Sequence, residues 1–405
     1  MERIFLILIF LGCVLLPFST TIANILFMTF AGGIMIESGI NRKFPDIKEW
    51  RKLLTLPSFF FLLALIGTLF TSHTSGGFHL VRKAIPFMVF SFAYILSEDS
   101  FKQKVPSYVS TGFILGIAGS LLYLFVLMGI NFSQAEEESI LNVFSHRFTY
   151  FNFVNPLKTH PTYFSIWILL ANYFVFNSKR INNYLKGLLL GLFFIGMVFT
   201  LSRVALLVYG LQVAGVFFYL PYRWKKIYVG ALVVFLIFGT YLYKYQLSNI
   251  YLLQRFSIEL AWDTDAENTG SEINNRVADD SRTARWAAIW NTIKEKPVFG
   301  HGTGSEKAVL AKTYAENNLH ISLERGYNSH NQYLFYMLEN GILGLCFVLT
   351  YFVANMIEAI KRKDMLVLWF IFGILVVFVF ENYMYSIMGY LTIALLLSFM
   401  RTSKK

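Results

Sequence analysis

Apolar residues run along this chain in blocks too long for the core of a soluble domain. A bilayer core needs about 20 apolar residues per crossing helix, within a range of roughly 17–25. That template predicts spans near 3–17, 21–39, 53–71, 84–97, 107–130, 160–177, 186–200, 203–220, 227–246, 331–356, 365–380 and 383–400. The first block has the look of a signal peptide, and Phe10-Leu11-Gly12-Cys13 resembles a weak lipoprotein box. Another apolar run follows at once, so the block reads as a first transmembrane helix. The expectation is an all-α polytopic membrane protein with about twelve transmembrane helices.

Two polar stretches interrupt this pattern. The shorter is 131–158, with Glu136-Glu137-Glu138; the longer is 247–330. Unstructured loops beyond about 12–15 residues are uncommon and usually functional or disordered. Residues 261–280 are polar and read as mobile, but the rest of the long stretch has helical patterning. Asp280 or Ser281 is placed to cap a helix over 282–295, in which Trp286, Ile289, Trp290 and Ile293 form one apolar stripe. Pro297 and Gly300-His301-Gly302-Thr303-Gly304 stop it, and Ser305 can cap a second helix toward Asn317. The chain therefore divides into 1–246 (nine spans with short loops), 247–330 (a helical outer cap) and 331–405 (three spans and a tail). No internal repeat is visible, and the long loop lies two-thirds along, which counts against a two-halved transporter.

Composition agrees. Hydrophobic residues make up 56% and charged residues 15% of the 405, with 42 Phe; average soluble domains are roughly 45–50% apolar and about 25% charged. The net charge of +11 does not point to nucleic acid, because the basic residues sit in short clusters between spans. With the N-terminus in the cytoplasm, those clusters fall on the cytoplasmic side, as the positive-inside bias requires. They occupy loops 40–52, 98–106, 178–185, 221–226 and 357–364 and the tail with Arg401, Lys404 and Lys405. The exception is Arg82-Lys83, which this topology puts at the outer face. Cys13 and Cys346 both lie in apolar runs, so no disulfide framework is expected.

Against this background a few polar residues stand out. Arg203 falls between two apolar runs, where an arginine costs about 2.5–3.5 kcal/mol on insertion scales. It is either a snorkelling helix-end arginine or an anion clamp, since a guanidinium fork matches phosphate oxygens. Arg285 borders the cap stripe with Arg282 one turn earlier, and it either faces the bundle mouth or is a solvated helix arginine. His330 follows Asn328-Ser329, either of which can cap the next helix, so it is expected in the first helical turn. The positive helix end disfavours imidazolium there, and a neutral imidazole can act as a general base. Gly341-Ile342-Leu343-Gly344 allows close helix contact just beyond. Glu381, at the outer junction of the last two spans, can orient His330, neutralise an arginine, or sit as a wet turn residue. Asp263-Thr264-Asp265 matches a short metal-binding pattern of nucleotide-sugar transferases, but it lies in a disordered-looking stretch, and neither a metal nor another cofactor is expected. No zinc spacing, P-loop or dinucleotide fingerprint occurs.

Three motifs in order carry a resemblance. They are Ser202-Arg203 at a span junction, then Arg285-Trp286 with Trp290 and Pro297 through Gly304. Last come His330-Asn331-x-x-Leu334 and Glu339-Asn340-Gly341-Ile342-Leu343-Gly344-Leu345. Together they resemble the O-antigen ligase/O-antigen polymerase superfamily over about 200–345. The resemblance implies a metal-independent, inverting glycosyltransferase of the GT-C type, with its active site at the periplasmic face of a bacterial inner membrane. The implied donor is a glycan on undecaprenyl diphosphate. The implied acceptor is a lipid A–core sugar hydroxyl for a ligase, or a second lipid-linked glycan for a polymerase; a late single large loop leans toward the ligase. By the same resemblance Arg203 and Arg285 bind the diphosphate, with Arg282, Asn331 and Glu381 as further substrate-binding residues, and His330 deprotonates the acceptor. A twelve-span transporter or flippase is the reading from another class.

Overall fold

A computed structural model describes residues 1–41, 50–135, 140–219, 251–265, 272–273, 276–277 and 280–400. By packing, the chain falls into two compact units, Met1–Gly116 with Asp263–Lys405, and Ile117–Trp262. These units cut across the three stretches expected from the sequence.

In the first unit, α1 (Glu2–Leu15) and α2 (Thr20–Ile40) pack as an antiparallel pair, the second capped by Ser19, whose hydroxyl accepts the Ile22 N–H. Helices α3 (Ser58–Leu69) and α4 (Thr74–Leu96) form the tightest pair. Helix α4 starts ten residues before the span expected at 84–97. Its first turns hold Gly76 and Gly77, which have little hydropathy but let other backbone approach. A Cβ at Gly76 would lie 2.2 Å from the Gly304 carbonyl oxygen. Helix α5 (Asp99–Gln134) crosses α1 where Gly112 and Gly116 face the Phe10 and Val14 carbonyls, the small-residue spacing that brings membrane helices close. Later in the chain come α14 (Gln332–Arg362), α15 (Met365–Phe378) and α16 (Ile387–Phe399). Phe60 stands at the centre of an aromatic seam, with ring centroids 4.7 Å from Tyr351, 5.4 Å from Phe87 and 5.6 Å from Phe352.

The second unit contains α6 (Tyr150–Val154), α7 (Pro161–Asn177), α8 (Asn183–Thr200) and α9 (Arg203–Tyr219). Helix α7 packs on α8 and α9, and Phe125, Phe153 and Phe199 meet at 5.3–5.5 Å. The expected span 227–246 and the Glu136-Glu137-Glu138 run lie outside the described residues. Among the described residues, five helices are long and apolar enough to cross a membrane: α2, α4, α5, α8 and α14. Helices α3, α15 and α16, and the start of α9, are shorter apolar segments.

The described residues from 251 to 324 are largely helical, with one short ladder. Helix α10 (Tyr251–Thr264) runs into the segment expected to be mobile from 261, and β1 (Glu272–Ile273) pairs antiparallel with β2 (Arg276–Val277). Then come α11 (Arg282–Ile293), α12 (Glu306–Glu316) and α13 (His320–Glu324). Ala288, Ile289, Ile293, Leu310, Tyr314 and Leu338 form their shared core with α14.

Candidate functional site

The site in the first unit is built from three places in the chain: the start of α11, the loop before α14 and the loop after α15. Ser281 caps α11 by accepting the Ala284 N–H at 3.0 Å. Asp280 turns away and accepts the N–H and hydroxyl of Ser322, at 2.7 and 2.6 Å. The buried face of α11 is Ala284, Arg285, Ala288, Ile289 and Ile293. The Trp stripe expected from spacing is therefore rotated: Trp290 is exposed, and Trp286 sits part-way in, donating its Nε1–H to the Ser329 carbonyl at 2.9 Å. Tryptophan needs a partner for its N–H when buried, whereas the small Ala284 and Ala288 pack without one.

That rotation puts Arg285 inside. It is 5% exposed, and its Nε and Nη1 have no hydrogen-bond partner among the described residues. Its guanidinium lies 5.0 Å from the Tyr327 ring centre. Burial lowers its pKa from the ordinary value, yet guanidinium stays charged at any working pH. A buried charge without a full set of partners is costly, so this geometry suits a residue that awaits an anion.

His330 lies before α14 rather than in its first turn. The helix is capped by Asn331, whose Oδ1 accepts the N–H of Tyr333 at 2.9 Å and of Leu334 at 3.0 Å. Asn331, expected to bind substrate, thus gives its carbonyl oxygen to the helix end. An Asn can satisfy two of the free N–H groups of a first turn, which decides the start ahead of Asn328 or Ser329. Asn328 instead accepts the N–H of His330 at 2.9 Å, and His330 is held at φ +44°. Its Nδ1 lies 3.5 Å from Glu381 Oε2, an ion-pair distance rather than a closed hydrogen bond. Burial lowers the His330 pKa below 6.5; Glu381 pulls it back up, while Arg285 and Arg282 push it down. The net direction favours neutral imidazole.

Glu381 is buried at 5% exposure, so it is no wet turn residue. Its Oε1 lies 3.8 Å from Arg282 Nη2, and Arg282 Nη1 donates to the Phe380 carbonyl at 3.0 Å. Arg282 Nε is also 3.8 Å from Asp263 Oδ2. The Asp263 and Asp265 carbonyls accept the hydroxyls of Thr283 and Ser281, so the backbone of this D-x-D is held at the start of α11. Among the described residues no group of three or more His, Cys, Asp or Glu is placed to hold a metal.

Sequence reasoning missed the brace beneath the site. Glu306, buried at the start of α12, accepts three bonds on one oxygen: from Ser329 N–H (3.1 Å), Ser329 hydroxyl (2.8 Å) and Asn382 amide (3.0 Å). Those residues adjoin His330 and Glu381. Burial raises the Glu306 pKa, and its bonds to Ser329 and Asn382 oppose that rise. In the sequence it looks like an ordinary first-turn acid after Ser305. Tyr327 was also missed; its ring meets His330 edge-on at 5.6 Å.

The glycine run packs against the middle of α14. His301 and Gly302 donate to the Leu338 and Glu339 carbonyls, at 2.8 and 2.9 Å, and Ile342 donates to the Pro297 carbonyl at 2.9 Å. These bonds replace those α14 loses where Gly341 (φ +64°) breaks it. The close contact expected of Gly341 through Gly344 is thus made at Gly341 by a loop, not by another helix. A Cβ on Gly341 would fall 2.1 Å from the Val298 carbonyl oxygen.

Arg203 belongs to the second unit. Leu201, at φ +47°, ends α8, and α9 begins at Arg203 itself. Ser202 donates to the Thr162 hydroxyl at 3.2 Å, fixing this junction on the start of α7.

Residues 188–349 match the family model described as O-antigen ligase. The matched region includes Arg203, Arg282, Arg285, His330 and Asn331; Glu381 lies beyond it. No curated protein matches the chain.

Proposed function

From the match of residues 188–349 to the O-antigen ligase family and the apolar helices of a multi-pass membrane protein, we propose that the chain is an O-antigen ligase. The family match supports a glycosyltransferase-like membrane enzyme with lipid-linked glycan substrates. The finer reading is transfer of a glycan from undecaprenyl diphosphate to a sugar hydroxyl of lipid A–core, at the periplasmic face of the inner membrane. The observation that supports it best is Arg285, buried with Nε and Nη1 unpartnered among the described residues, beside a histidine whose pKa burial lowers.

With Nδ1–H directed at Glu381, the lone pair of His330 lies on Nε2. That nitrogen takes the proton of the acceptor hydroxyl as its oxygen bonds to the anomeric carbon. The bond from that carbon to the diphosphate oxygen breaks, with inversion, and the diphosphate leaves with the electron pair. Arg285 and Arg282 stabilise the charge on it, and Arg203 is proposed as a further donor-binding residue. Fixed cations aimed at developing charge are usually the largest catalytic effect, and base assistance typically adds about 10²–10⁴-fold. No step calls for a metal.

The test is a transfer assay with purified protein in detergent. It uses undecaprenyl-diphosphate glycan, with lipid A–core in one tube and no second acceptor in the other. Glycan on lipid A–core, lost in His330→Ala, Arg285→Ala and Arg203→Ala, is the expected result. Longer glycans on undecaprenyl diphosphate in the second tube would instead make the protein a polymerase that joins repeat units. Neither product, from folded protein, would return the transporter or flippase reading.

A further inference from the structure

The charge bias leaves one basic pair on the wrong side, Arg82-Lys83, and the reaction above makes no use of it. In the first unit this pair stands beside a cavity of about 1000 Å³ between the start of α4 and helices α12 and α13. Ligand sites commonly span about 300–1000 Å³, so this one has room for more than a single sugar ring. Lys83 is already engaged: its Nζ donates to the Tyr385 carbonyl at 2.9 Å and lies 3.9 Å over that ring. Arg82 and Lys307, by contrast, are exposed lining residues with no hydrogen-bonded or ion-paired partner among the described residues, and His73 and His79 lie alongside.

The floor is different in kind. Glu306 and Glu339 reach it, but Glu306 is engaged by Ser329 and Asn382, and Glu339 Oε1 accepts the Glu306 N–H at 3.2 Å. Around them are Tyr314, Ser322, Asn328 and Tyr385, hydroxyl and amide groups that donate and accept alike. One wall is shared with the catalytic site. Tyr327 and Asn328 line the cavity, while the Tyr327 ring touches both Arg285 and His330, and Asn328 holds the His330 N–H. Neither Arg282 nor Arg285 lines it.

We propose that this cavity binds the acceptor saccharide, that it selects acceptors bearing an acidic group, and that Arg82 and Lys307 read that acid at the mouth. A floor of hydroxyl, amide and carboxyl groups suits sugar hydroxyls. A rim with two free cations suits a phosphate or carboxylate on the same saccharide. The acceptor, rather than the donor, is assigned here because the lining residue Asn328 holds the His330 N–H, whereas Arg285 meets the wall only through the Tyr327 ring and Arg282 bonds to no lining residue. This deepens the ligase reading and rests on it for the word acceptor alone.

The test uses the full chain in detergent, wild type and Arg82→Ala/Lys307→Ala, with melting curves to show that both are folded. Delipidated core oligosaccharide is titrated onto each, in native, phosphatase-treated and carboxyl-reduced forms, and transfer to matching lipid A–core is measured in parallel. The double variant should bind native oligosaccharide roughly tenfold or more weakly, the size expected for losing a charged contact. It should raise the KM for acceptor equally and leave the KM for donor alone. Wild type should lose the same factor with whichever treatment removes the recognised acid, which separates phosphate from carboxylate. Equal binding by wild type and variant, or a rise in donor KM instead, overturns the proposal even when transfer itself is confirmed. Charge-dependent binding without any transfer would overturn the ligase reading and leave the acidic-saccharide site standing.

Discussion

At the scale of single residues, the pairing of His330 with Glu381 sets how the site responds to pH. Desolvation places the His330 pKa below 6.5, while Glu381 opposes that shift. A base works only when unprotonated, so activity is full above the folded pKa and falls as pH drops through it. Removing the carboxylate removes the group that favours imidazolium, and the folded pKa falls further. Glu381→Gln should therefore lower the transfer rate at neutral pH, because the base is weaker, and displace the acid limb of the rate profile to lower pH. An acid limb that stays in place in Glu381→Gln would show that the two residues are not coupled. Stability follows the same sign: the unfolded histidine takes up its proton below about 6.5 and the folded one does not. That contribution is present above this pH and is lost as pH falls.

Glu306 is a second case in which one side chain carries more than its position suggests. It joins the loop before α14 to the loop after α15 through a single carboxylate oxygen. Glu306→Ala should cost about 1–3 kcal/mol, since it strands buried donors, and should depress activity through misplacement of His330 and Glu381. Glu306→Gln keeps an acceptor oxygen and should recover most of both. Melting temperatures and transfer rates of the two variants check this; equal damage from both would mean that the charge, not the acceptor, matters.

At the scale of elements, the central feature is a helix broken on purpose. Helix α14 loses its regular geometry at Gly341, and the segment 297–302 supplies bonds in its place. At φ +64° and ψ −167°, Gly341 occupies a region open almost only to glycine, which costs another residue about 1–3 kcal/mol, and here a Cβ would also strike the Val298 carbonyl. Gly341→Ala should lower the melting temperature by more than the conformational cost alone and loosen the glycine run. A variant with native stability would show that α14 can straighten without it. Gly304 faces the same constraint: its own Cβ would sit 2.1 Å from the Gly77 nitrogen, which is why the start of α4 is part of the cap's packing.

At the scale of the whole molecule, the orientation drawn from the basic loops predicts the cap outside and the α14–α15 turn inside. Alkaline phosphatase fused after Asn317 should be active in cells, and fused after Lys363 inactive. The opposite pattern would place the proposed site in the cytoplasm, where the lipid A–core reading fails.

What the sequence determined by itself is what depends on neighbours along the chain. Hydropathy over a window places apolar helices, because each must bury its own backbone polar groups in lipid. Most predicted spans coincide with helices, and the break between α8 and α9 falls at Ser202-Arg203. Ser281 caps its helix, Ser305 begins the next without a side-chain cap bond, and three motifs in order carry the resemblance to the superfamily whose model matches residues 188–349. Other features depended on groups far apart in sequence, and only the tertiary structure decided them. Spacing put Trp286, Ile289, Trp290 and Ile293 in one stripe; the two isoleucines are buried, but packing set Ala284 and Ala288 beside them in place of the tryptophans and drew Arg285 inside. Two caps were available before α14, and Asn331 took the role that neither was expected to lose, which placed His330 outside the helix. The length of α4 was hidden because its first turns are held by Gly304 rather than by hydropathy. Glu306 looked like a first-turn acid until Ser329 and Asn382 closed around it. The Asn331 cap is itself local, but for Arg285, α4, Ser329 and Glu306 a contact made across the fold outweighed the local preference, and such contacts leave no periodicity in the chain to read.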